Sequence, residues 1–479
     1  MAAEPTSVQE MAEIQRMEQV FHAQKEAFAA NPMPDLAQRR DDLDRLRGAL
    51  VTFRKRLADA ISKDFGNRSR HESMMEIMTT IQGMRYARRH LRQWMKPSRR
   101  RAGLLMATTN CKVYYQPKGI VGVIVPWNYP LALAIGPLTC ALAAGNRVML
   151  KMSESTPRTG EVLCEMIQSI FDENHVAVIL GEVETGKAFS GMPLDHLVFT
   201  GSTEVGRHIM HAASDNLTPV TLELGGKSPT IISDDVPMDM AAERICFGKA
   251  LNAGQTCVAP DYVLCPGNRV EEFVLAFERA FARMYPDLSR NEDFTCIVNE
   301  RQYRRLIGYL DDARALGAKI IELNPGGGRL SPDNRKLSLY LVKNVKPGMR
   351  LMQEEIFGPI LPIVTYDHID EAITYINDRP RPLALNLFDS NSARREKVLA
   401  GTHSGGVCIN DAVSHFIAED LPFGGVGDSG MGHYHAREGF LTFSHHKAVF
   451  SRPRINTARS LYAPHGGWLQ NLVFKLFLR

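Results

Sequence analysis

The chain has eight cysteines and 15 histidines in 479 residues, yet no Cys-x-x-Cys pair and no Cys/His grouping at zinc-site spacing. That absence argues against a structural zinc module, and the scattered thiols read as reduced cysteines of a cytoplasmic protein rather than a disulfide framework. His433 with His435, and His445 with His446, read as surface or packing histidines, so no metal is expected. No apolar run reaches the roughly 20 residues that span a bilayer, and the N-terminus lacks the apolar stretch of a secretory signal. Charge of one sign is scarce too. A net charge of +4 gives no reason to expect nucleic acid as the main partner. The local exception, Arg85 to Arg101, reads as a solvated helix face and loop, with a binding patch as the alternative. Internal repeats and low-complexity linkers are missing as well.

What is present is an ordinary globular composition, 44% hydrophobic and 23% charged, long enough for two or three domains. Residues 1 to 100 have helical spacing, as in Leu43, Leu46, Leu50 and Val51, and Cys111 to Pro117 is β-type. From Gly119 short apolar runs alternate with helical ones. Strands are expected at Ile120–Val125, Asn146–Lys151, Val176–Leu180, His196–Thr200 and Val220–Leu224. Helices are expected at Pro130–Ala144, Gly160–Phe171 and Ser202–Ala213. Repeated β-α-β predicts a parallel sheet covered by helices, with ligands beyond the carboxyl ends of its strands. An α/β texture continues in the second half, with helical stretches at Glu271–Met284 and Gln302–Leu316. The apolar tail Trp468–Arg479 is expected to dock on the body; an interfacial membrane helix and a cover over the substrate entrance are its alternatives.

Four segments carry candidate chemistry. Phe199-Thr-Gly-Ser-Thr-Glu-Val-Gly206 ends a strand and starts a helix, where unpaired N–H groups suit a pyrophosphate; it also fits a plain strand-to-helix turn. In Val220-Thr-Leu-Glu-Leu-Gly-Gly226, Glu223 lies in an apolar run, either as a general base for water or as a salt-bridged structural acid. Cys257 closes Asn252-Ala-Gly-Gln-Thr-Cys257 in a loop where backbone N–H groups can stabilise a thiolate. Cys140 and Cys164 sit on helices among apolar neighbours and read as packing residues. Asn128, in Pro126-Trp-Asn-Tyr-Pro130, is a turn residue or an amide donor to a developing oxyanion.

These segments, together with Glu354-Glu-Ile-Phe-Gly-Pro359 and Pro422-Phe-Gly-Gly425, occur in an order that resembles the aldehyde dehydrogenase superfamily from about residue 40 to 450. The run Pro422 to Gly432 with Thr442-Phe-Ser-His445 is similar to the class 3 branch. Asp64-Phe-Gly-Asn-Arg-Ser-Arg70 and Ala259-Pro-Asp-Tyr-Val263 look most like its coniferyl aldehyde members.

The resemblance implies an α/β fold: a Rossmann-like NAD(P)-binding domain (1–105 and 119–224), an α/β catalytic domain (225–435), a bridging and oligomerisation β-arm (106–118 and 436–455) and a tail (456–479). It implies Cys257 as nucleophile, Glu223 as general base and Asn128 as oxyanion donor. Gly201 and Ser202 would meet the pyrophosphate, Val205 the adenine, Lys151 and Glu154 the adenosine ribose, and Glu355 and Phe357 the nicotinamide riboside. The expected cofactor is NAD, with NADP possible. The expected partners are an aldehyde and a second copy of the chain. The reaction is oxidation of an aldehyde to an acid through a thiohemiacetal and a thioester. An aromatic enal such as coniferyl aldehyde is the first substrate expectation and a medium- or long-chain aliphatic aldehyde the second. An acylating enzyme and a catalytically silent protein on the same fold are the competing readings, against which the retained Glu223 and Cys257 argue. One residue departs from the family pattern: Met152 stands where a proline usually follows the strand lysine.

Overall fold

The structure is a computed structural model, and it describes residues 8–103, 106, 108–330, 332–454, 456, 459 and 462–478. Parts of the expected first domain (1–7, 104 and 105), of the arm (107 and 455) and of the tail (457, 458, 460, 461 and 479) lie outside the described residues.

Sixteen strands are described, in three sheets. In chain order they are β1 (Ser98–Arg100), β2 (Asn110–Pro117), β3 (Ile120–Ile124), β4 (Arg147–Lys151), β5 (Val176–Ile179), β6 (His196–Thr200), β7 (Val220–Glu223) and β8 (Pro229–Ile232). Then come β9 (Tyr262–Pro266), β10 (Lys319–Leu323), β11 (Leu339–Lys343), β12 (Ile360–Tyr366), β13 (Ala384–Phe388), β14 (Gly406–Ile409), β15 (Gly430–Met431) and β16 (Ser444–Ser451).

The first sheet runs β15-β7-β6-β3-β4-β5, parallel except for β15. Its central strands are continuous apolar runs, as a sheet covered on both faces requires. The chain leaves β3 toward β4 and β5, then crosses back so that β6 lies on the other side of β3. That reversal opens a crevice beyond the carboxyl ends of β3 and β6, where Asn128 and Gly201 follow. Helix Ala132–Ala144 is apolar around nearly its whole circumference because helices Leu36–Phe65 and Arg70–Trp94 cover its outer side. The expected solvated face is present: Arg85, Arg88, Arg89, Arg92 and Lys96 are exposed.

The second sheet runs β10-β11-β12-β9-β8-β13-β14, parallel except for β10. The amphipathic helix Val270–Met284 packs Phe273, Phe277 and Phe281, one turn apart, into the core below it. A third, antiparallel sheet, β1-β2-β16, stands out from the body, with β16 paired along its whole length from Ser444↔Pro117 to Ser451↔Asn110.

Two segments have neighbours other than those the sequence boundaries give them. β15, expected with the catalytic domain, completes the first sheet beside β7. Helix Ala436–Thr442, expected in the arm, packs on helices Ala132–Ala144 and Arg70–Trp94, because Phe440 is buried against Trp94 and Tyr115. The tail also departs from expectation. It forms helix Trp468–Phe477, but only Gln470 is buried; Trp468, Leu472 and Leu476 stay exposed because no surface of this chain covers them.

Candidate active site

The loop that carries Cys257 begins where helix Met238–Ala250 stops. Asn252 and Ala253 have φ of 50° and 51° and Gly254 has φ of 73°, so three successive left-handed residues reverse the chain. A side chain at position 254 would lie 2.4 Å from the Gly358 carbonyl, so only glycine fits. Two buried amides pin the turn. Asn252 Nδ2 donates to the carbonyls of Asn128 (3.1 Å) and Gln255 (3.2 Å), and the Asn252 N–H donates to the Glu72 carboxylate. Gln255 Nε2 donates to the Cys296 carbonyl and its Oε1 accepts from the Val298 N–H.

Cys257 follows this turn. Burial, reinforced by the negative charges of Glu355 and Glu223, pushes its thiol up to about 12, while the N–H groups of Cys257 and Val258 work in the opposite direction. Glu223 ends β7, is 2% exposed, and neither of its carboxyl oxygens has a hydrogen-bond partner among the described residues. Burial raises its pKa well above the ordinary carboxylate value. Glu355 is pushed up to about 7 by burial and by Asp261, opposed by the Gly226 N–H and by Arg305. The structural-acid alternative for Glu223 finds no partner, since no ion pair involves it among the described residues.

A cleft of about 430 Å³ brings together Asn128, Gly201, Ser202, Glu223, Cys257, Glu355 and Phe357. Phe357 sits at φ 49°, its ring edge-on to Trp127 at 5.3 Å. Ser202 caps helix Thr203–Ser214 by accepting from the Val205 N–H, which leaves the start of that helix facing the cleft. Three expected cofactor residues are not part of this wall. Lys151 is buried at the end of β4 with its ammonium on the Met152 and Gly181 carbonyls, both at 2.7 Å. Glu154 is exposed in the following turn, and Val205 is 45% exposed on the first helical turn. Met152 takes a role closed to proline, since its N–H donates to the Ile179 carbonyl and extends the pairing with β5.

The Asn128 amide is buried, and its Nδ2 donates 3.2 Å to the Gln255 carbonyl. One N–H of the group is thus committed to the loop that carries Cys257, and both residues line the cleft. On the far side of Cys257 lies a second cavity of about 120 Å³, walled mainly by Tyr129, Leu133, Phe247, Leu251, Val413 and Phe416. The Tyr129 hydroxyl is 2.8 Å from Thr256 Oγ1. Sequence reasoning missed this cavity. Tyr129 lies inside a quoted motif, but nothing local marks Phe247 or Phe416, which converge only through the fold. Gln302 and Arg305, also in the cleft wall, lie on a helix that was read only as a helix.

A cleft at a strand reversal, lined by a helix N-terminus, a thiol and a carboxyl without a hydrogen-bond partner among the described residues, is the arrangement of a nucleotide-dependent enzyme. The sequence profile of the aldehyde dehydrogenase family matches residues 3–449. A probable coniferyl aldehyde dehydrogenase of Pseudomonas aeruginosa is 56% identical over 98% of both chains. The coniferyl aldehyde dehydrogenase of Pseudomonas sp. strain HR199 is 46% identical over 94% of both. Staphylococcus aureus AldH, solved in a substrate-bound state, superposes with a TM-score of 0.90 at 36% identity, over 97% of this chain and 99% of that one. PnpE, solved with nicotinamide adenine dinucleotide, superposes with a TM-score of 0.84 at 26% identity, over 95% and 92%. The chain therefore belongs to the aldehyde dehydrogenase family, in its class 3-like branch, and is an NAD(P)-dependent oxidoreductase acting on aldehydes.

Proposed function

We propose that the chain oxidises an aromatic enal, coniferyl aldehyde first among them, to the free acid, with NAD as acceptor. The observation that carries this reading is that Cys257 lines both the cleft that holds Gly201, Ser202, Glu355 and Phe357 and a second, largely apolar cavity, with Glu223 in the cleft wall. The aromatic faces of Tyr129, Phe247 and Phe416 suit a planar conjugated substrate, and two relatives are named for coniferyl aldehyde.

The residues fit the cofactor. Gly201 and Ser202, at the N-terminus of helix Thr203–Ser214, would hold the pyrophosphate, and Val205 would serve the adenine. Lys151 and Glu154 would serve the adenosine ribose, and Glu355 and Phe357 the nicotinamide riboside; bound there, NAD would supply the hydride acceptor. The Cys257 thiol gives up its proton to solvent, and its sulfur attacks the aldehyde carbon to form a tetrahedral thiohemiacetal. The Asn128 amide and a main-chain N–H of the nucleophile loop stabilise its oxygen. After hydride loss the substrate is a thioester on Cys257. Glu223 takes a proton from water, the water oxygen attacks the thioester carbonyl, and the acid leaves as the thiol reforms. Free-acid release separates this reading from an acylating enzyme, which has no need of a carboxylate base.

The chain works in the cytoplasm, in keeping with eight free cysteines, and as a homodimer joined through the outer edge of β16. Rates across a panel of coniferyl aldehyde, cinnamaldehyde, hexanal and dodecanal test the substrate class. The reading expects the highest kcat/KM with the aromatic enals, and a preference for the alkanals contradicts it.

A further inference from the structure

The run Asp64 to Arg70 resembles coniferyl aldehyde relatives, and the reaction as written gives it no role. Arg68 within it is fully buried, with a side-chain exposure of 0%. Its guanidinium turns inward from the junction between helices Leu36–Phe65 and Arg70–Trp94. Nη1 donates 3.0 Å to the Asn128 main-chain carbonyl, Nη2 lies 3.1 Å from Glu76 Oε2, and the guanidinium carbon stacks 4.7 Å from the Tyr129 ring centre.

Each partner leads to the site. The Asn128 carbonyl also accepts from Asn252 Nδ2, so one oxygen joins Arg68 to the nucleophile turn. Glu76 Oε1 accepts from the N–H groups of Leu131 and Ala132, both at 2.9 Å, and so holds the start of helix Ala132–Ala144, whose own N-cap makes no side-chain bond. Tyr129 walls the apolar cavity and reaches Thr256, the neighbour of Cys257. A buried arginine is costly unless it is paired. Here Nη1 makes the one side-chain hydrogen bond, to Asn128, Nη2 is held by charge alone beside Glu76, and Nε has no hydrogen-bond partner among the described residues.

We propose that Arg68 is a positioning residue for the oxidation: it fixes the main chain at Asn128 and the ring of Tyr129 against the nucleophile loop. This inference rests on Asn128 as the oxyanion donor. It extends the machinery to a residue that touches neither substrate nor cofactor and acts through the two that follow β3.

The test is a double-mutant cycle on the pre-steady-state burst of NADH. Arg68→Lys keeps the charge but loses the planar fork. The expected result is a burst rate lowered about 10- to 100-fold, as for a small misplacement of a catalytic group, with an unchanged Kd for NAD. In an Asn128→Ala background the same substitution should cost a clearly smaller factor, because the part of its effect that passes through that amide is gone while the part through Tyr129 remains. An equal factor in both backgrounds, or a native burst rate in folded Arg68→Lys, overturns the proposal. If Asn128→Ala alone keeps the native burst, the oxyanion assignment fails and the proposal with it. Should Arg68→Lys not fold, Glu76→Gln, which keeps an acceptor for Leu131 and Ala132 but removes the paired charge, takes its place in the cycle. The same non-additivity is then expected, and additivity again overturns the proposal.

Discussion

Glu223 and Gly430 face each other as antiparallel partners at the end of β7, and the register sets Thr200 opposite Glu223 on the other side. A side chain at position 430 would lie 2.3 Å from the Leu222 carbonyl, so the approach of β15 depends on glycine. The backbone of the base is thus held on both sides, while its carboxyl makes no hydrogen bond among the described residues. Such a group is free to serve water and thioester. Glu223→Gln is therefore expected to retain a single burst of NADH and to lose steady-state turnover by at least about 100-fold, a typical minimum for loss of a general base. Stopped-flow absorbance reads both phases, and native steady-state turnover contradicts the base role.

The same burial has a cost in stability. Burial raises the folded pKa of Glu223 above its unfolded value. Between those two values the unfolded chain binds fewer protons than the folded one, so stability falls as pH rises through that window. Glu223→Gln removes the ionisation. Its melting temperature should match that of the native chain below the ordinary carboxylate range and exceed it increasingly above, as calorimetry across a pH series can check. A variant less stable than the native chain at alkaline pH is the contrary result.

Kinetics should carry a matching signature. Burial holds both the Cys257 thiol and the Glu223 carboxyl in their protonated forms. Activity should accordingly rise with pH across the neutral range, since deprotonation supplies thiolate and base. A kcat profile that is flat or falls from about pH 6 to about pH 9, above the unperturbed carboxylate value, speaks against both assignments.

The legible parts of this molecule were those written in local pattern. The apolar runs at Ile120, Val176 and His196 specify buried parallel strands, and the predicted bounds fall within a residue or so of β3, β5 and β6. The cleft residues Asn128, Gly201, Glu223, Cys257 and Glu355 lie in motifs just beyond strand ends or in tight turns, where backbone constraints leave a readable mark. The strands of the second sheet were not read from the sequence because the amphipathic helices between them, such as Val270–Met284, carry the stronger periodicity. The cluster of Arg68, Glu72 and Glu76 was illegible for another reason. Charged residues in and just before a helix read as solvent-facing, and only tertiary packing reveals that these are buried. The unpacked tail is the converse case, since its apolar sequence predicts a docking surface that this chain does not provide.

In the proposed reading, cofactor preference rests on Glu154, exposed in the turn after β4. A carboxylate that accepted bonds from the ribose hydroxyls there would repel a 2′-phosphate. The expected kcat/KM with NAD exceeds that with NADP by about tenfold or more, the scale of a like-charge contact in a partly solvated site. Glu154→Gln should narrow the gap, and equal efficiencies in the native chain contradict the assignment.

The outer edge of β16 has no strand partner among the described residues, and Val449 and Phe450 are exposed on that strand at 36% and 53%. Edges of this kind pair with a second copy or are blunted by charge. The double substitution Val449→Glu, Phe450→Glu should reduce the light-scattering mass from two chains to one. A native chain that scatters as a monomer or a tetramer contradicts the dimer.

The account turns on a thioester at one particular cysteine. Glu223→Gln mixed with NAD and coniferyl aldehyde, quenched in acid after the burst and weighed by intact-protein mass spectrometry, should carry one 4-hydroxy-3-methoxycinnamoyl (feruloyl) group, mapped by peptide digestion to Cys257. The same mixture made with Cys257→Ser should show neither adduct nor NADH. An adduct on another of the eight cysteines, or a burst of NADH with no adduct at all, contradicts the mechanism at its centre.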